Sequence, residues 1–128
     1  MAAAPAPRAA ALIALDWGTT SLRAYLLGAG PEVLERRAEP FGLLQVPDRD
    51  FLAAYEAITG DWRRAHPGVA ALACGMIGSA QGWREAPYVT APADAADVAA
   101  ALVDAPAEGL RIVPGVAQRG AHPEDRPR

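Results

Sequence analysis

The stretch "ALDWGTTSLRAY", residues 14–25, joins an apolar run to an acid, a glycine and three hydroxyl side chains before it turns apolar again. The run over residues 11–15 is short, continuous and apolar, which is typical of a buried strand. Asp16 therefore lies at the end of a predicted strand, directly before a turn over residues 18–21. A second predicted strand follows that turn.

The turn has two interpretations. In the first it binds phosphate groups, because Gly18 has no Cβ and allows a phosphate to approach the backbone. Thr19, Thr20 and Ser21 then supply N–H and O–H donors to phosphate oxygens. Asp16 holds Mg²⁺, which prefers oxygen ligands such as carboxylates. In the second, the stretch is a tight hairpin turn whose side chains satisfy local backbone groups, and these residues alone leave both interpretations open.

Other phosphate-binding devices are excluded by composition and order. The sequence contains no Lys, which both a P-loop and the protein-kinase layout require. The turn leads into a strand rather than a helix, so the helix N-terminus of a dinucleotide-binding site is also missing.

Composition limits the partners. The 128 residues are 52% hydrophobic with a net charge of −3, which fits about one globular domain. This charge argues against nucleic acid or an anionic membrane surface as a partner. No apolar stretch approaches the roughly 20 residues of a membrane span.

Cys74 is the single cysteine, so the chain forms no internal disulfide, and we expect a cytoplasmic protein. The apolar run before it predicts a buried, structural thiol. One cysteine and two scattered histidines make a zinc site unexpected.

Periodicity predicts a mixed α/β domain in the order β-β-β-α-β-α-β, in which three initial strands form an antiparallel meander. The predicted strands lie near residues 11–15, 21–28, 32–39, 69–75 and 110–115. A helix opens at Pro47–Asp48 and buries one face, made of Phe51, Tyr55, Ile58 and Trp62. A weak alanine-rich helix follows over about Asp94 to Val103.

Three segments carry a family resemblance: "DWGTTSLRAYL" at residues 16–26, "ACGMIGSAQGWREAPYVTAPA" at 73–93 and "RIVPGV" at 111–116. In this order and spacing they resemble the N-terminal half of the 2-dehydro-3-deoxygalactonokinase family, over residues 11–116. The Asp-x-Gly-Thr-Thr turn alone marks only the actin, hexokinase and heat-shock ATPase superfamily, whereas the second segment is more specific. The resemblance implies a ribonuclease H-like (actin-like ATPase) lobe with a mixed five-stranded sheet.

The resemblance further implies a carbohydrate kinase of galactonate degradation, which transfers phosphate from ATP to the 6-hydroxyl of 2-dehydro-3-deoxy-D-galactonate. Asp16 would serve the catalytic Mg²⁺–phosphate centre, and the phosphates would be bound by Gly18, Thr19, Thr20 and Ser21. The sugar acid would contact Arg23, Ser79, Gln81, Trp83, Arg84 and Tyr88. An Arg suits its carboxylate, because the pair forms charge-assisted bidentate hydrogen bonds. The alternatives are that the aromatic residues only pack and that the arginines are solvated surface charges.

The family's enzymes continue into a second lobe that opens with an Arg-Gly-Glu-Glu-type motif and supplies the adenosine site. Here the sequence instead ends in "AQRGAHPEDRPR", residues 117–128, and it opens with an Ala/Pro leader over residues 1–10. We therefore expect a truncated lobe over residues 11–116, inactive alone and able to self-associate through its exposed inter-lobe face. No catalytic base is assignable. The alternatives are a non-catalytic nucleotide- or sugar-acid-binding module and another carbohydrate kinase of the same fold.

Overall fold

The structure is a computed structural model that describes residues 9–30 and 32–118. The predicted leader and tail fall mostly outside the described residues. The described strands are β1 (Leu12–Trp17), β2 (Leu22–Leu27), β3 (Val33–Glu39), β4 (Ala70–Cys74), β5 (Val89–Ala91), β6 (Val103–Asp104), β7 (Leu110–Ile112) and β8 (Val116–Gln118). The helices are α1 (Phe51–Ala65) and α2 (Ala95–Ala100), with 3₁₀ turns at Pro47–Arg49 and Met76–Gly78.

The main sheet is mixed and has the order β3-β2-β1-β4-β7-β6. Strands β1, β2 and β3 pair antiparallel, as predicted, whereas β1–β4 and β4–β7 pair parallel. This places β1 in the interior of the sheet, between its hairpin partner and the strand that follows α1. Strands β5 and β8 form a separate parallel pair.

The prediction of a five-stranded sheet is wrong, because the main sheet has six strands in the described residues. The added strand β6 has two residues and pairs antiparallel with β7, and β5 and β8 have three residues each. Such short strands carry too little alternation to be recognised from sequence. The predicted second helix is also shorter than expected, because Val103 pairs with Ile112 and therefore belongs to β6.

The hydrophobic core lies between one face of the sheet and α1. Alternate residues of β1 point into it, because successive side chains of a strand face opposite sides. Ile13, Leu15 and Trp17 are thus almost fully buried. The predicted apolar face of α1 packs in the same cluster and contributes Phe51, Tyr55, Ile58 and Trp62.

Helix α1 begins later than predicted. The side chain of Asp50 caps it by accepting a hydrogen bond from the Ala53 N–H at 3.0 Å. Pro47–Arg49 forms a separate turn with 3₁₀-type hydrogen bonds, and α1 does not extend back through it because Asp48 and Arg49 adopt positive φ angles outside the right-handed helical region.

The prediction of a buried Cys74 is wrong. In β4 the pleat buries Ala71 and Ala73 and places Cys74 on the opposite face, where it is exposed. The apolar run therefore reflects alternate buried alanines rather than a strand buried on both sides. Among the described residues, neither helix has the length and apolar character needed to cross a bilayer.

Candidate functional site

Asp16 is the next-to-last residue of β1, and its carboxylate lies on the face of the sheet opposite the core. It stands across from Arg23 in the antiparallel register and from Cys74 in the parallel register. A Cβ placed on Gly75 would lie 3.5 Å from Asp16 Oδ1, so this carboxylate borders the loop that follows β4. The Asp16 carboxylate is exposed, and it makes no hydrogen bond or ion pair within residues 9–30 and 32–118. Its charge is therefore available to a ligand.

The turn over residues 18–21, which we call the phosphate turn, connects β1 to β2. The Gly18 N–H donates to the Ser21 carbonyl at 3.0 Å, which closes the turn. Thr19 and Thr20 are exposed, and their N–H groups donate to no other residue in the described part of the chain. The turn thus presents unused donors to solvent beside Asp16, as a phosphate-binding turn requires.

A second segment, which contains Leu43 and Leu44, forms hydrogen bonds with the phosphate turn. The Leu43 N–H donates to the Gly18 carbonyl at 2.9 Å, and the Leu44 N–H donates to the Thr19 carbonyl at 3.1 Å. Because these bonds engage the carbonyls of the turn, they fix its shape without using its N–H donors.

Gly42 allows this close packing. A Cβ at this position would overlap the backbone of Thr19 and Ser21. The indole N–H of Trp17 adds a further tie, because it donates to the Phe41 carbonyl at 2.8 Å. The glycine between Phe41 and Leu43 is the sequence signal that could have indicated this close approach.

The loop over residues 75–88, which we call the glycine loop, is folded tightly on itself. Gly75 has a φ of +100°, and a Cβ there would lie 2.7 Å from the Trp17 carbonyl oxygen, so a side chain is excluded on both counts. The Ser79 hydroxyl donates to the Met76 carbonyl at 2.6 Å, and the Ala86 N–H donates to the Gly78 carbonyl at 2.9 Å. These contacts give the glycine loop a defined shape.

A cavity of about 510 Å³ lies between the glycine loop and the chain that follows β7. Its wall consists of Cys74, Gly75, Met76, Gly78, Ser79, Ala80, Gln81, Glu85, Ala86, Tyr88, Val113, Pro114 and Gly115. Three of the residues predicted to bind substrate, Ser79, Gln81 and Tyr88, share this wall. Asp16 lies at its edge, since Gly75 belongs to the wall.

The other three predicted substrate residues lie elsewhere. The Trp83 ring packs against aromatic core residues, with centroids 6.1 Å from Trp17 and 6.1 Å from Phe51. Arg84 is exposed, its side chain makes no hydrogen bond or ion pair within the described residues, and it precedes the wall residue Glu85. Arg23 is exposed beside Asp16.

Sequence reasoning missed two chemical groups on the wall, Cys74 and Glu85. Partial desolvation of the Cys74 thiol, together with the negative charge of Asp16, raises its pKa. Cys74 therefore stays a thiol at neutral pH rather than a reactive thiolate.

The donor set around Asp16 fits a magnesium ion that arrives on a nucleotide. Within the described ranges no group of three or more His, Cys, Asp or Glu side chains could hold a metal by itself. Mg²⁺ is commonly bound by one or two carboxylates together with substrate phosphates and water. One unpaired carboxylate next to a phosphate turn satisfies that arrangement.

Comparison with known proteins points to one family. Residues 16–126 match the family model described as 2-keto-3-deoxy-galactonokinase. The chain is 35% identical over 104 residues to the 2-dehydro-3-deoxygalactonokinase of Escherichia coli (strain K12), which covers 81% of this chain and 34% of that protein. It is 36% identical over 121 residues to "Probable 2-dehydro-3-deoxygalactonokinase DgoK1" of Rhizobium meliloti (strain 1021), covering 87% and 37% respectively.

A solved structure agrees with this match. A crystal structure from Sinorhizobium meliloti, assigned as a 2-dehydro-3-deoxygalactonokinase, superposes with a TM-score of 0.70 at 32% identity. The superposition covers 85% of this chain and 36% of that one. The chain thus spans about a third of the length of the curated relatives that it matches.

Proposed function

The chain belongs to the 2-keto-3-deoxy-galactonokinase family, and on that premise we propose that its domain is a ribonuclease H-like, actin-like lobe of an ATP-dependent sugar-acid kinase. The substrate is 2-dehydro-3-deoxy-D-galactonate, phosphorylated at its 6-hydroxyl. The observation that carries this proposal is the position of Asp16. Its unpaired carboxylate lies between the phosphate turn and the edge of the glycine-loop cavity.

The phosphate turn is suited to hold the phosphates of ATP. The free N–H groups and hydroxyls of Thr19 and Thr20 donate to phosphate oxygens, and Gly18 keeps the approach open. Asp16 would hold the Mg²⁺, and a bound Mg²⁺ would supply the charge that stabilises the transferred phosphoryl group. Catalysis of this reaction is mainly positioning and electrostatic stabilisation. A turn whose carbonyls are held by hydrogen bonds from Leu43 and Leu44 is suited to such positioning.

The glycine-loop cavity is suited to the sugar acid. Its volume of about 510 Å³ lies within the usual range for small-molecule pockets. The hydroxyls of Ser79 and Tyr88 and the amide of Gln81 provide hydrogen bonds to the hydroxyl and keto groups. Arg84 directly precedes the wall residue Glu85 and binds the carboxylate, and Arg23, opposite Asp16 in the β1–β2 register, contacts the part of the sugar acid that receives the phosphate.

Two measurements on the purified 128-residue chain test this function. Calorimetric titration with 2-dehydro-3-deoxygalactonate and with Mg·ATP measures binding, and galactonate, which lacks the ketone, serves as the matched control ligand. A coupled assay of ADP release measures transfer. Binding of the keto-acid in preference to galactonate supports the proposal. Absence of binding by both the keto-acid and Mg·ATP contradicts it.

The same pair of measurements separates the kinase from a binding module. ADP release that depends on the sugar acid assigns phosphoryl transfer to this chain. Binding of both ligands without such release assigns the chain binding alone.

A further inference from the structure

Residues 41–49, which we call the strap, connect the phosphate turn to the glycine loop. One end of the strap carries the bonds from Leu43 and Leu44 to the turn. At the other end, Nη2 of Arg49 donates to the Gln81 carbonyl at 3.0 Å and to the Gly82 carbonyl at 3.2 Å. The strap thus touches both halves of the proposed site.

The backbone at the end of the strap is strained. Asp48 and Arg49 have φ angles of 55° and 54°, in the left-handed region. Asp tolerates this region better than most residues, whereas Arg has no side-chain feature that favours it. Non-glycine residues stay in this conformation only where the surrounding structure imposes it. Here the Arg49 guanidinium passes over the Phe51 ring, 5.0 Å from its centroid, on its way to the loop.

The carbonyls that receive Arg49 belong to a closely packed part of the glycine loop. A Cβ on Gly82 would overlap the Ile77 carbonyl, and the Gly82 N–H donates to the Ser79 carbonyl at 2.9 Å. Gln81, directly before it, lines the cavity. A charge-assisted bond at these carbonyls therefore fixes the point from which the Gln81 side chain enters the wall.

We propose that Arg49 is a positioning residue for the sugar-acid cavity. Its guanidinium holds the glycine loop against the strap and so keeps the Ser79–Gln81 wall in register with the phosphate turn. Arg49 is not part of the cavity wall, so it acts through the loop. The substrate in this inference rests on the proposed function, whereas the contact between Arg49 and the loop does not.

The test compares Arg49→Ala and Arg49→Lys with the control Arg36→Ala. Arg36 is exposed on β3, and its side chain has no hydrogen bond or ion pair to another residue of the described ranges. Two readouts are measured on the full chain. One is the backbone amide NMR spectrum over residues 79–83, and the other is the dissociation constant for 2-dehydro-3-deoxygalactonate and for Mg·ATP.

In Arg49→Ala we expect the amide resonances of Gln81, Gly82 and Trp83 to shift. The dissociation constant for the sugar acid should rise by about tenfold, as for the loss of one charge-assisted hydrogen bond. The constant for Mg·ATP should stay within about twofold of the wild type, because the bonds of the strap to the phosphate turn remain. Arg49→Lys should recover part of the sugar-acid affinity, since the ammonium keeps the charge and the hydrogen-bond donors but lies on a side chain one bond shorter. Arg36→Ala should change neither readout.

Two results would overturn the inference. One is an Arg49→Ala chain with unmoved loop amides and wild-type affinity for the sugar acid. The other is an equal loss of affinity for both ligands without recovery in Arg49→Lys, which indicates general destabilisation. If the wild-type chain binds no sugar acid, the proposed substrate is wrong. The loop amides of the Ala and Lys variants then decide the role of Arg49 by themselves.

Discussion

The backbone of Gly42 lies directly against that of Thr19, with no room for a side chain between them. Two hydrogen bonds from the strap to the turn reinforce this contact. The phosphate turn is therefore shaped by a segment more distant in sequence than the strands that flank it. Its geometry depends on that packing as well as on its own residues.

Gly42→Ala should destabilise the chain by about 2–3 kcal/mol, because overpacking against backbone atoms cannot be relieved by a change of rotamer. Urea unfolding measures the loss. Gly18→Ala is the matched control, since a Cβ there would meet only the Ser21 carbonyl oxygen at an ordinary 3.6 Å. A Gly42→Ala chain as stable as the control would show that the strap does not pack on the turn.

Asp16→Asn should weaken the binding of Mg·ATP by at least about tenfold, because it removes the charge proposed to hold the metal while keeping the shape. Stability should hardly change, since the carboxylate is exposed and has no described partner. Titration calorimetry and urea unfolding give the two quantities. Asp104→Asn removes another exposed carboxylate and should affect neither, because the ion pair of Asp104 with Arg111 is solvent-exposed and contributes little. Wild-type affinity in Asp16→Asn would remove Asp16 from the metal centre.

Arg84→Ala should raise the dissociation constant for the sugar acid by about tenfold, through loss of a charge-assisted contact to its carboxylate. The affinity for Mg·ATP should be unaffected. Titration of both ligands provides the comparison, and Arg36→Ala controls for the change in net charge. An unchanged affinity for the sugar acid would identify Arg84 as a solvated surface charge.

Two substitutions of Trp83 distinguish a packing role from direct contact with the substrate. Its ring lies 6.1 Å from Trp17 and 6.5 Å from Tyr55, so Trp83→Ala should cost about 3 kcal/mol of stability. Trp83→Phe retains an aromatic ring in the cluster and should cost only about 1 kcal/mol. We expect the Phe variant to bind the sugar acid within about twofold of the wild type. Weaker binding at nearly unchanged stability would support a direct contact between Trp83 and the substrate.

The ion pair between Arg37 and Asp61 should make stability depend on pH in the acid range. Two hydrogen bonds of 2.6 and 2.7 Å from Arg37 join β3 to α1, and they lower the pKa of Asp61 from 3.8 to about 2. As the pH falls, Asp61 binds a proton in the unfolded chain before it does so in the folded chain. Folding stability is therefore lost between about pH 4 and pH 2.

The expected loss is at most about 1 kcal/mol, because the Asp61 side chain is more than half exposed. Urea unfolding at pH 4 and pH 2 measures it, and Asp61→Asn should show a smaller decrease over that range. NMR titration of the carboxyl carbon gives the pKa of Asp61 directly. A pKa near the ordinary value for Asp would contradict the pairing.

Much of the fold follows from periodicity. Phe51, Tyr55, Ile58 and Trp62 recur at helical spacing, and they form the buried face of α1. The start of α1 could not be predicted in the same way, because nothing in the residue type of Arg49 indicates a left-handed φ. The shortest strands were likewise not predicted, since two or three residues are too few to show the alternation of a strand.

The candidate site could be proposed from sequence where its chemistry lies in side chains. The acid and hydroxyls of the phosphate turn were recognisable by type, and Ser79, Gln81 and Tyr88 were placed by family resemblance. The role of Arg49 was not predictable, because its partners are backbone carbonyls, which any residue supplies. The orientation of Trp83 was undecided for a related reason: an indole suits a core and a cavity equally well.

The interior position of β1 also sets the order in which the chain can fold. Its antiparallel partner β2 follows after one turn, whereas its parallel partner β4 follows only after β3 and α1. The pairing of Leu12 with Ala70 therefore joins segments that are far apart in sequence. A hairpin closes in about 1–10 μs, but pairing between distant segments is slower because a long loop must be ordered first. During that interval one edge of β1 stands unpaired, and an unpaired edge recruits strands from other molecules. We therefore expect β1, the strand that carries Asp16, to be a site of aggregation in newly synthesised chains.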